Sequence, residues 1–324
     1  MVQYLVILLD DTSVSYCHAD NPNTERKLIS IEHLKAGIHE AMRQNWMIQF
    51  VYPDYELPQE YLDVIDTIDH HDIFGIEKSN FEVENETDSV SVMDYSQLAT
   101  ANIQLSGGIL VLRLTKKDLF DGDEKIAALL PKVERLNIVI TDLDTFTDSD
   151  IERYKTIMAN ISEKVKALYL GGETPQFNLL TDRIMLSKPN HCNAGVENIT
   201  LAPNGKFYIC PAFYYSNPDD NIGDIKSFHE TSELQIPNQQ LFRLDHAPLC
   251  RHCDAYHCRR CVWLNRKTTL EVNTPSREQC VVAHTEREAS RLLLAGIREK
   301  ASYMPETEIK EINYNDPFEV RKEW

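Results

Sequence analysis

Apolar segments alternate with helical patterns over residues 4–187. The first segment, 4–9, is apolar throughout and ends at a polar loop, which predicts a strand covered on both faces. Further strand signals lie at 47–52, 109–112, 136–140 and 165–170, and helical patterns lie between them at 31–45, 58–68, 123–130 and 147–163. Strands that alternate with helices predict an α/β protein with a parallel sheet, either open or curled into a partial barrel.

Capping and polar residues mark the ends of these elements. Ser30 can cap the 31–45 helix, and Thr147 with Asp150 resembles a capping pair for the 147–163 helix. We interpret the polar quartet 69–72 as the solvated end of a helix in preference to a metal site, and the acidic run 79–89 as a solvated loop. The apolar positions of the 31–45 helix recur at helical spacing: Leu34, Ile38, Ala41 and Met42.

The pattern changes after residue 187. Two short strand signals, 198–201 and 207–209, flank Asn204 and Gly205, which predicts a hairpin with a tight turn. The clearest helical pattern, 281–300, has its apolar face at Ala289, Leu292, Leu293 and Ile297. We therefore predict domains over 1–187 and 188–300, followed by a loosely held tail over 301–324.

Composition and charge narrow the class of protein. The chain has 324 residues, of which 42% are hydrophobic, enough for a buried core. Its formal net charge of −18 disfavours nucleic acid as a partner, since a phosphate backbone would be repelled. No stretch reaches the roughly 20 apolar residues of a membrane helix, and the opening segment lacks the basic start of a signal peptide. We expect a cytoplasmic protein, in which thiols stay reduced.

Seven of the eight cysteines lie in the last part of the chain, and four of them form the run Cys-x2-Cys-x4-Cys-x2-Cys. In a reducing compartment such spacing favours metal ligation over disulfides. The pairs are closer together than in a zinc ribbon, which favours iron-sulfur chemistry and leaves zinc as an alternative. The predicted cofactor and metal ligands are Cys192, Cys210, Cys250, Cys253, Cys258, Cys261 and Cys280.

The pattern Cys192-x12-Gly205-x4-Cys210, followed by the four-cysteine run and Cys280, resembles the SPASM region of radical S-adenosylmethionine enzymes that mature peptides and proteins. The resemblance implies one or two 4Fe-4S auxiliary clusters. It assigns one cluster to Cys192, Cys210 and Cys261, and the other to Cys250, Cys253, Cys258 and Cys280. Two intervals are one residue shorter than is usual in the family. The three-cysteine cluster has a position for a further ligand, for which the candidates are His191, His252 and His257.

The first part of the chain resembles the partial (β/α) barrel of the same superfamily, with one departure. The family carries Cys-x3-Cys-x2-Cys after the first strand, whereas this sequence has Asp10, Val14 and Cys17 at those places. The usual radical chemistry is therefore not expected, and S-adenosylmethionine is not expected to bind. The family's Gly-Gly-Glu-Pro motif is absent after the second strand, and the similar segment 171–175 comes too late, so we interpret it as a turn at a strand end.

The combination most resembles the CXXX repeat peptide maturases. This resemblance implies maturation of a ribosomally made peptide, a RiPP precursor, by a protein that binds the precursor and uses its clusters. No residue is assigned a catalytic role. The alternatives are a catalytically inactive scaffold that presents the peptide to a partner enzyme, and a zinc-stabilised peptide-binding protein. The expected partners are a cysteine-repeat precursor peptide and either a partner maturation enzyme or an electron donor.

Overall fold

The computed structural model describes residues 2–76, 89–99, 108–301, 306–312 and 316–318. The strands are β1 (Tyr4–Leu8), β2 (Met47–Val51), β3 (His70–Gly75), β4 (Ser89–Asp94), β5 (Ile109–Leu114), β6 (Arg135–Ile140), β7 (Gln176–Phe177), β8 (Asn198–Leu201), β9 (Lys206–Tyr208) and β10 (Gly223–Asp224). The helices are α1 (Ile31–Gln44), α2 (Gln59–Ile65), α3 (Lys116–Ala127), α4 (Asp148–Gly171), α5 (Thr181–Met185), α6 (Pro211–Ser216), α7 (Ile225–Thr231), α8 (Val262–Thr269) and α9 (Arg277–Arg298).

The described residues form two compact units. The first contains parts of 1–103 and 193–246, and the second contains parts of 104–192 and 247–324. These units are divided differently from the predicted domains, 1–187 and 188–300, which stay a prediction. None of the helices in the described ranges combines the length and the apolar character that crossing a membrane requires.

Parallel strands make up most of the sheet in the first unit. Its strand order is β10-β9-β8-β1-β2-β3-β4, and β1 pairs in parallel with both β2 and β8. Leu5, Ile7 and Leu8 are fully buried, as the continuous apolar pattern of β1 predicts for a strand covered on both faces. The predicted strands at 4–9 and 47–52 and the helix capped by Ser30 are confirmed.

The predicted hairpin is formed by β8 and β9. Thr200 pairs with Tyr208 in antiparallel register, and Gly205 has a φ of +76° in the turn. A side chain at Gly205 would also meet the ring of His33, with a Cβ placed 2.4 Å from its Cε1 atom. The turn therefore requires glycine both for its backbone conformation and for space.

The second unit combines a short parallel sheet with long helices. Its strands lie in the order β5-β6-β7, and α4 packs along α9. The capping pair of Thr147 and Asp150 forms a complete capping box at the start of α4, as predicted. The predicted strands at 109–112 and 136–140 are confirmed as parts of β5 and β6.

The predicted strand at 165–170 is wrong, because this segment is the last part of α4. Val165 lies on the same buried face of the helix as Met158 and Ile161, so the helical period continues into the segment. Gly172 ends the helix in the left-handed conformation, with a φ of +91°. The segment 171–175 is therefore the end of a helix and not a turn at a strand end.

Several boundaries also differ from the predictions. The quartet 69–72 is not a solvated helix end, because His70 begins β3 and pairs with Ile48 of β2. Helix α9 begins at Arg277, so Cys280 lies inside it. The predicted apolar faces included Met42 and Leu292, but these side chains are exposed. The predicted loop 79–89 lies outside the described residues apart from Ser89, which begins β4.

The tail was predicted to be loosely held, but its described parts contact the second unit. Ile309 is buried, and the carbonyl oxygen of Lys310 accepts a hydrogen bond from Arg287. The Asp316 carboxylate pairs with Arg277 at the start of α9. Side chains that the sequence pattern did not mark as core therefore fix these parts of the tail.

A candidate metal centre

Four of the predicted ligands line one cavity of the second unit. The cavity has a volume of about 170 Å³, and its lining includes Cys250, Cys253, Cys258 and Cys280. These are the four residues that the SPASM resemblance assigned to one cluster. The cavity is slightly larger than the engineered cavity of about 150 Å³ that accepts benzene. It therefore has room for a group of several atoms.

The other three predicted ligands are not among the residues that line this cavity. Cys192 is exposed in the second unit, and Cys261 caps α8 there, where its sulfur accepts a hydrogen bond from the Leu264 amide at 3.4 Å. Cys210 is the N-cap residue of α6 in the first unit. The cluster implied for Cys192, Cys210 and Cys261 stays a prediction.

Backbone turns position the cavity thiols. The Cys253 amide donates to the Cys250 carbonyl at 3.1 Å, and the Cys258 amide donates to the Ala255 carbonyl at 3.0 Å. The Ala255 amide donates to the Cys253 sulfur at 3.5 Å. Cys280 is supplied by the first turn of α9, which Ser276 caps. Two tight turns and a helix end thus direct four sulfurs to one cavity.

Buried arginines hold the loop between the two Cys-x2-Cys steps. Arg287 is fully buried and donates two hydrogen bonds of 2.6 Å to the Asp254 carboxylate. Arg183, also buried, contacts the same carboxylate at 3.2 Å. Because bidentate charge-assisted bonds are the strong ones, Asp254 fixes the loop next to Cys253.

The thiols lie in a setting that disfavours bare negative charge. Burial raises the pKa of Cys250 to about 11 and that of Cys258 to about 12. Burial also raises the pKa of Cys253 and of Cys280, and neighbouring cavity thiols raise that of Cys280 further. A metal would therefore have to displace the thiol protons on binding.

Arg260 supplies positive charge beside these sulfurs. It is buried at the cavity wall with a backbone φ of +32°, a conformation that is uncommon for residues other than glycine. Burial lowers the pKa of Arg260, and Cys250, Cys192 and Cys258 raise it by their charge. The guanidinium is placed to offset the charge of a thiolate-bound anionic group.

Three histidines were candidate ligands, and the structure separates them. His257 is buried, but its Nε2 atom lies 3.0 Å from the Glu286 carboxylate and it is not among the cavity-lining residues. His252 lines the cavity but is exposed. His191 lines the cavity, and its Nδ1 atom lies 3.0 Å from the Cys258 carbonyl oxygen. Burial lowers the pKa of His191 to about 4.

Sequence reasoning missed His284, whose Nε2 atom lies 3.4 Å from the Cys253 sulfur. His284 follows Cys280 by four residues on α9, so the two share one face of the helix. The helical period after Cys280 could have identified it.

The spacing of the donor atoms bears on the choice of metal. Among the residues that the structure describes, the group of three donors lying within 4.8 Å of one another is His39, Glu40 and His229, and no trio of cysteines meets that spacing. Four sulfurs around one zinc ion would lie about 3.8 Å apart, given a Zn–S bond of about 2.3 Å. Iron-sulfur chemistry at this cavity stays a prediction, and zinc is its alternative.

The loop after β1, in the first unit, has a different character. Asp10 is fully buried, and its carboxylate accepts hydrogen bonds from the Thr12 amide at 2.8 Å, the Thr12 hydroxyl at 2.6 Å and the Tyr55 hydroxyl at 2.9 Å. Val14 packs against Gly75. A Cβ atom added at Gly75 would lie only 2.9 Å from the Val14 Cγ1 atom. Cys17 is the single thiol of this loop, and its sulfur lies 3.6 Å from the Ser15 hydroxyl.

These residues do not fit a cluster that needs three thiolates. One of the three places holds a carboxylate already engaged in hydrogen bonds, and another holds a packed hydrocarbon. Within the loop, the side-chain amide of Asn21 donates to the carbonyls of Asp11 and Ser13 at 2.8 Å each. The Tyr214 hydroxyl donates to the Asp11 carboxylate and ties the loop to the rest of the first unit. The loop therefore does not offer the ligands of a radical SAM cluster.

The fold is similar to that of anSMEcpe in solved structures. Histidine-tagged anSMEcpe with bound AdoMet matches with a TM-score of 0.59 and 12% identity, over 93% of this chain and 97% of that chain. Native anSMEcpe with bound AdoMet and the Cp18Cys peptide matches with a TM-score of 0.58 and 12% identity, over 92% of this chain and 100% of that chain. No family model and no curated protein matches the chain in sequence. The predicted α/β fold class is confirmed, and the chain shares the fold of anSMEcpe.

Proposed function

We propose that this protein takes part in maturing a ribosomally made cysteine-repeat peptide, by binding the precursor and using SPASM-type iron-sulfur clusters. The observation that carries the proposal is the cavity with four thiols, Cys250, Cys253, Cys258 and Cys280. The resemblance to CXXX repeat peptide maturases gives the substrate class. Support also comes from anSMEcpe, which has this fold and was solved with bound peptides.

The residues of the chain have separate tasks in this proposal. The cavity thiolates would hold a 4Fe-4S cluster, which when bound supplies electron transfer. Arg260 offsets the negative charge of the thiolates, and His284 lies against the Cys253 sulfur. Asp254, held by Arg287 and Arg183, keeps the loop in place.

A catalytically inactive scaffold is the second candidate, and the loop after β1 favours it. Asp10 and Val14 occupy two of the places where the radical SAM family has thiolates, and Asp10 is held by hydrogen bonds within the first unit. S-adenosylmethionine is therefore not expected to act on this chain. As a scaffold, the chain would present the precursor peptide to a partner maturation enzyme. Zinc remains an alternative metal, disfavoured by the spacing of the cysteines.

The first experiment measures iron, sulfide and zinc in anaerobically purified protein and records an EPR spectrum after dithionite reduction. About four irons per chain would support one cluster in the cavity, and about eight would support a second one. The Cys17→Ser variant is the matched control, because Cys17 lies in the other unit and should not change the metal content. Stoichiometric zinc without iron would contradict the iron-sulfur proposal.

A second experiment separates the maturase from the scaffold. The reconstituted protein is incubated with a synthetic cysteine-repeat peptide and a reductant, and the peptide is analysed by mass spectrometry. A mass change caused by this protein alone would rule out the inactive scaffold. An unmodified peptide together with an unchanged EPR spectrum would contradict a direct role in peptide chemistry.

A further inference from the structure

One nitrogen at the cavity lacks a hydrogen-bond partner. The Nε2 atom of His191 is inaccessible to solvent and makes no hydrogen bond, although His191 lines the same cavity as the four thiols. Buried polar atoms are rarely left unsatisfied, and those that are need an explanation such as a bound ion. The thiols that line the same cavity supply a reason for an ion to be there.

The other nitrogen of His191 fixes which atom carries the proton. Nδ1 lies 3.0 Å from the Cys258 carbonyl oxygen, and a carbonyl can only accept, so Nδ1 carries the hydrogen. In the neutral ring Nε2 then has a free lone pair. Histidines that bind metals commonly have this arrangement, with the second ring nitrogen donating to a backbone carbonyl.

The segment around His191 is also tied to the cysteine loop by its backbone. The Asn190 amide donates to the Tyr256 carbonyl at 2.9 Å, so residues 190 and 191 each make a hydrogen bond to the 256–258 segment. The imidazole is thus held in place before any ligand binds. Such preorganisation is what a ligand needs to hold a metal in one geometry.

The other unpartnered atoms near the loop are poorer candidates. The Nδ1 atom of His257 is also buried without a partner, but His257 is not among the residues that line the cavity. The Oε1 atom of Gln279 does line it, but an amide oxygen suits hard cations, whereas imidazole suits iron.

We propose that His191 is a ligand of the metal group held by the cavity thiols, binding through Nε2. This inference rests on the proposed function, since it assumes a metal group in the cavity. Four thiols and one imidazole make five donors, whereas a four-iron cluster takes four protein ligands. One of the four thiolates is therefore dispensable for holding the cluster. A neutral imidazole in place of a thiolate also raises the reduction potential, as it does in Rieske centres.

The test uses the full chain, expressed with 15N-labelled histidine and reconstituted anaerobically with ferrous iron and sulfide. Pulsed EPR of the reduced cluster should show a strong coupling to a directly bound histidine nitrogen. His191→Ala should lose that coupling. His284→Asn and His252→Asn are the matched controls, since His284 faces a ligand sulfur and His252 is exposed at the same cavity, and both should keep it.

Two further measurements protect the test against a variant that fails to fold. His191→Cys restores a thiolate and should lower the reduction potential while keeping the iron content. Single Cys→Ala variants of the four cavity thiols should include one that retains full iron. A wild-type cluster without strong nitrogen coupling, or an unchanged coupling in His191→Ala, would overturn the inference.

Iron analysis of the same samples separates this inference from the proposed function. If the wild-type protein binds no iron, the proposed function fails and the cavity is tested with Co²⁺. The visible spectrum of bound Co²⁺ depends on the number of thiolate ligands, so His191→Cys should intensify the sulfur charge-transfer bands. An unchanged Co²⁺ spectrum in both His191 variants would overturn the role of His191 under that condition as well.

Discussion

The loop after β1 and the cysteine cavity differ in which of their polar atoms have hydrogen-bond partners. In the loop after β1, the Asp10 carboxylate accepts hydrogen bonds from Thr12 and Tyr55. Four cysteines and His191 line the cysteine cavity, and the Nε2 atom of His191 has no hydrogen-bond partner in the described part of the protein. The Asp10 carboxylate thus has hydrogen-bond partners within the first unit, whereas the His191 Nε2 atom has a lone pair available for a ligand.

The difference shows that a buried carboxylate in this loop can be satisfied without a metal. A buried carboxylate without partners would cost several kcal/mol, but the hydrogen bonds to Asp10 offset that cost. The loop can therefore stay ordered without a metal. In the cysteine cavity, the Ala255 amide and the His284 ring contact the Cys253 sulfur, and the chemistry there depends on what binds the thiols.

The largest expected effect is the loss of iron when a cavity thiol is removed. If His191 is a ligand, three of the four thiols are needed. Cys250→Ala, Cys253→Ala, Cys258→Ala and Cys280→Ala, made singly, should include three variants that lose most of about four irons bound at this site, because three of the thiolates are needed together with His191. Iron and sulfide analysis after anaerobic reconstitution measures the loss. Cys17→Ser should keep the wild-type iron content. Full iron in all four variants would show that the cluster lies elsewhere.

The next effect is on the loop that carries the thiols. Asp254→Ala removes the partner of Arg287, which is fully buried, and should destabilise the protein by about 3 kcal/mol. Chemical denaturation of the metal-free protein measures this change. Asp245→Ala is the matched control, because the Asp245 carboxylate is 70% exposed and lies 3.6 Å from Arg243. This variant should lower the free energy of unfolding by only about 0.5 kcal/mol. Equal losses in the two variants would contradict a special role of the Asp254 pair.

A smaller loss is expected in the other loop. Asp10→Ala leaves the Tyr55 hydroxyl and the Thr12 amide without their acceptor and should cost about 2 kcal/mol. The variant should keep the iron content of the wild-type protein, since Asp10 lies in the unit without the cavity. Denaturation curves and iron analysis of one preparation give both results. A loss of iron in Asp10→Ala would indicate that the first loop does hold metal.

The smallest effect depends on pH. The Lys116 ammonium and the Thr147 amide lower the pKa of Asp150 to about 2, below its unfolded value of about 3.9. The carboxylate therefore stabilises the fold at pH values above about 4, and this contribution is lost as pH falls through 2. Asp150→Asn should cost about 1–2 kcal/mol at pH 7 and progressively less as pH falls towards 2, as measured by denaturation at several pH values. A difference that does not change with pH would contradict the charge-based explanation.

The sequence was most informative where patterns are local. The apolar run of β1, the Ser30 and Thr147 caps and the Asn204–Gly205 turn depend on neighbouring residues, and each was predicted correctly. The short interval between the cysteine pairs also placed three of the cavity thiols on one loop. These features need no knowledge of distant contacts.

The failures arise where tertiary packing decides. The mostly apolar segment 165–170 imitated a strand, although burial of Val165 continues the face of α4. The polar start of β3 hid a strand, because His70 and Asp72 are only half-buried. The sequence did not show which of the three candidate histidines would be the ligand. The orientation of the His191 ring depends on the hydrogen bond to the Cys258 carbonyl, 67 positions away in the sequence.

The position of Cys280 on α9 also sets an order of events during synthesis. The segment with His191 and the loop with Cys250, Cys253 and Cys258 leave the ribosome before Cys280 does. Helix α9 packs along α4, so the fourth sulfur reaches the cavity only after this late helix has docked on an early one. A nascent chain lacking α9 would expose three thiols without a closed cavity, so metal loading is expected to follow translation of this region.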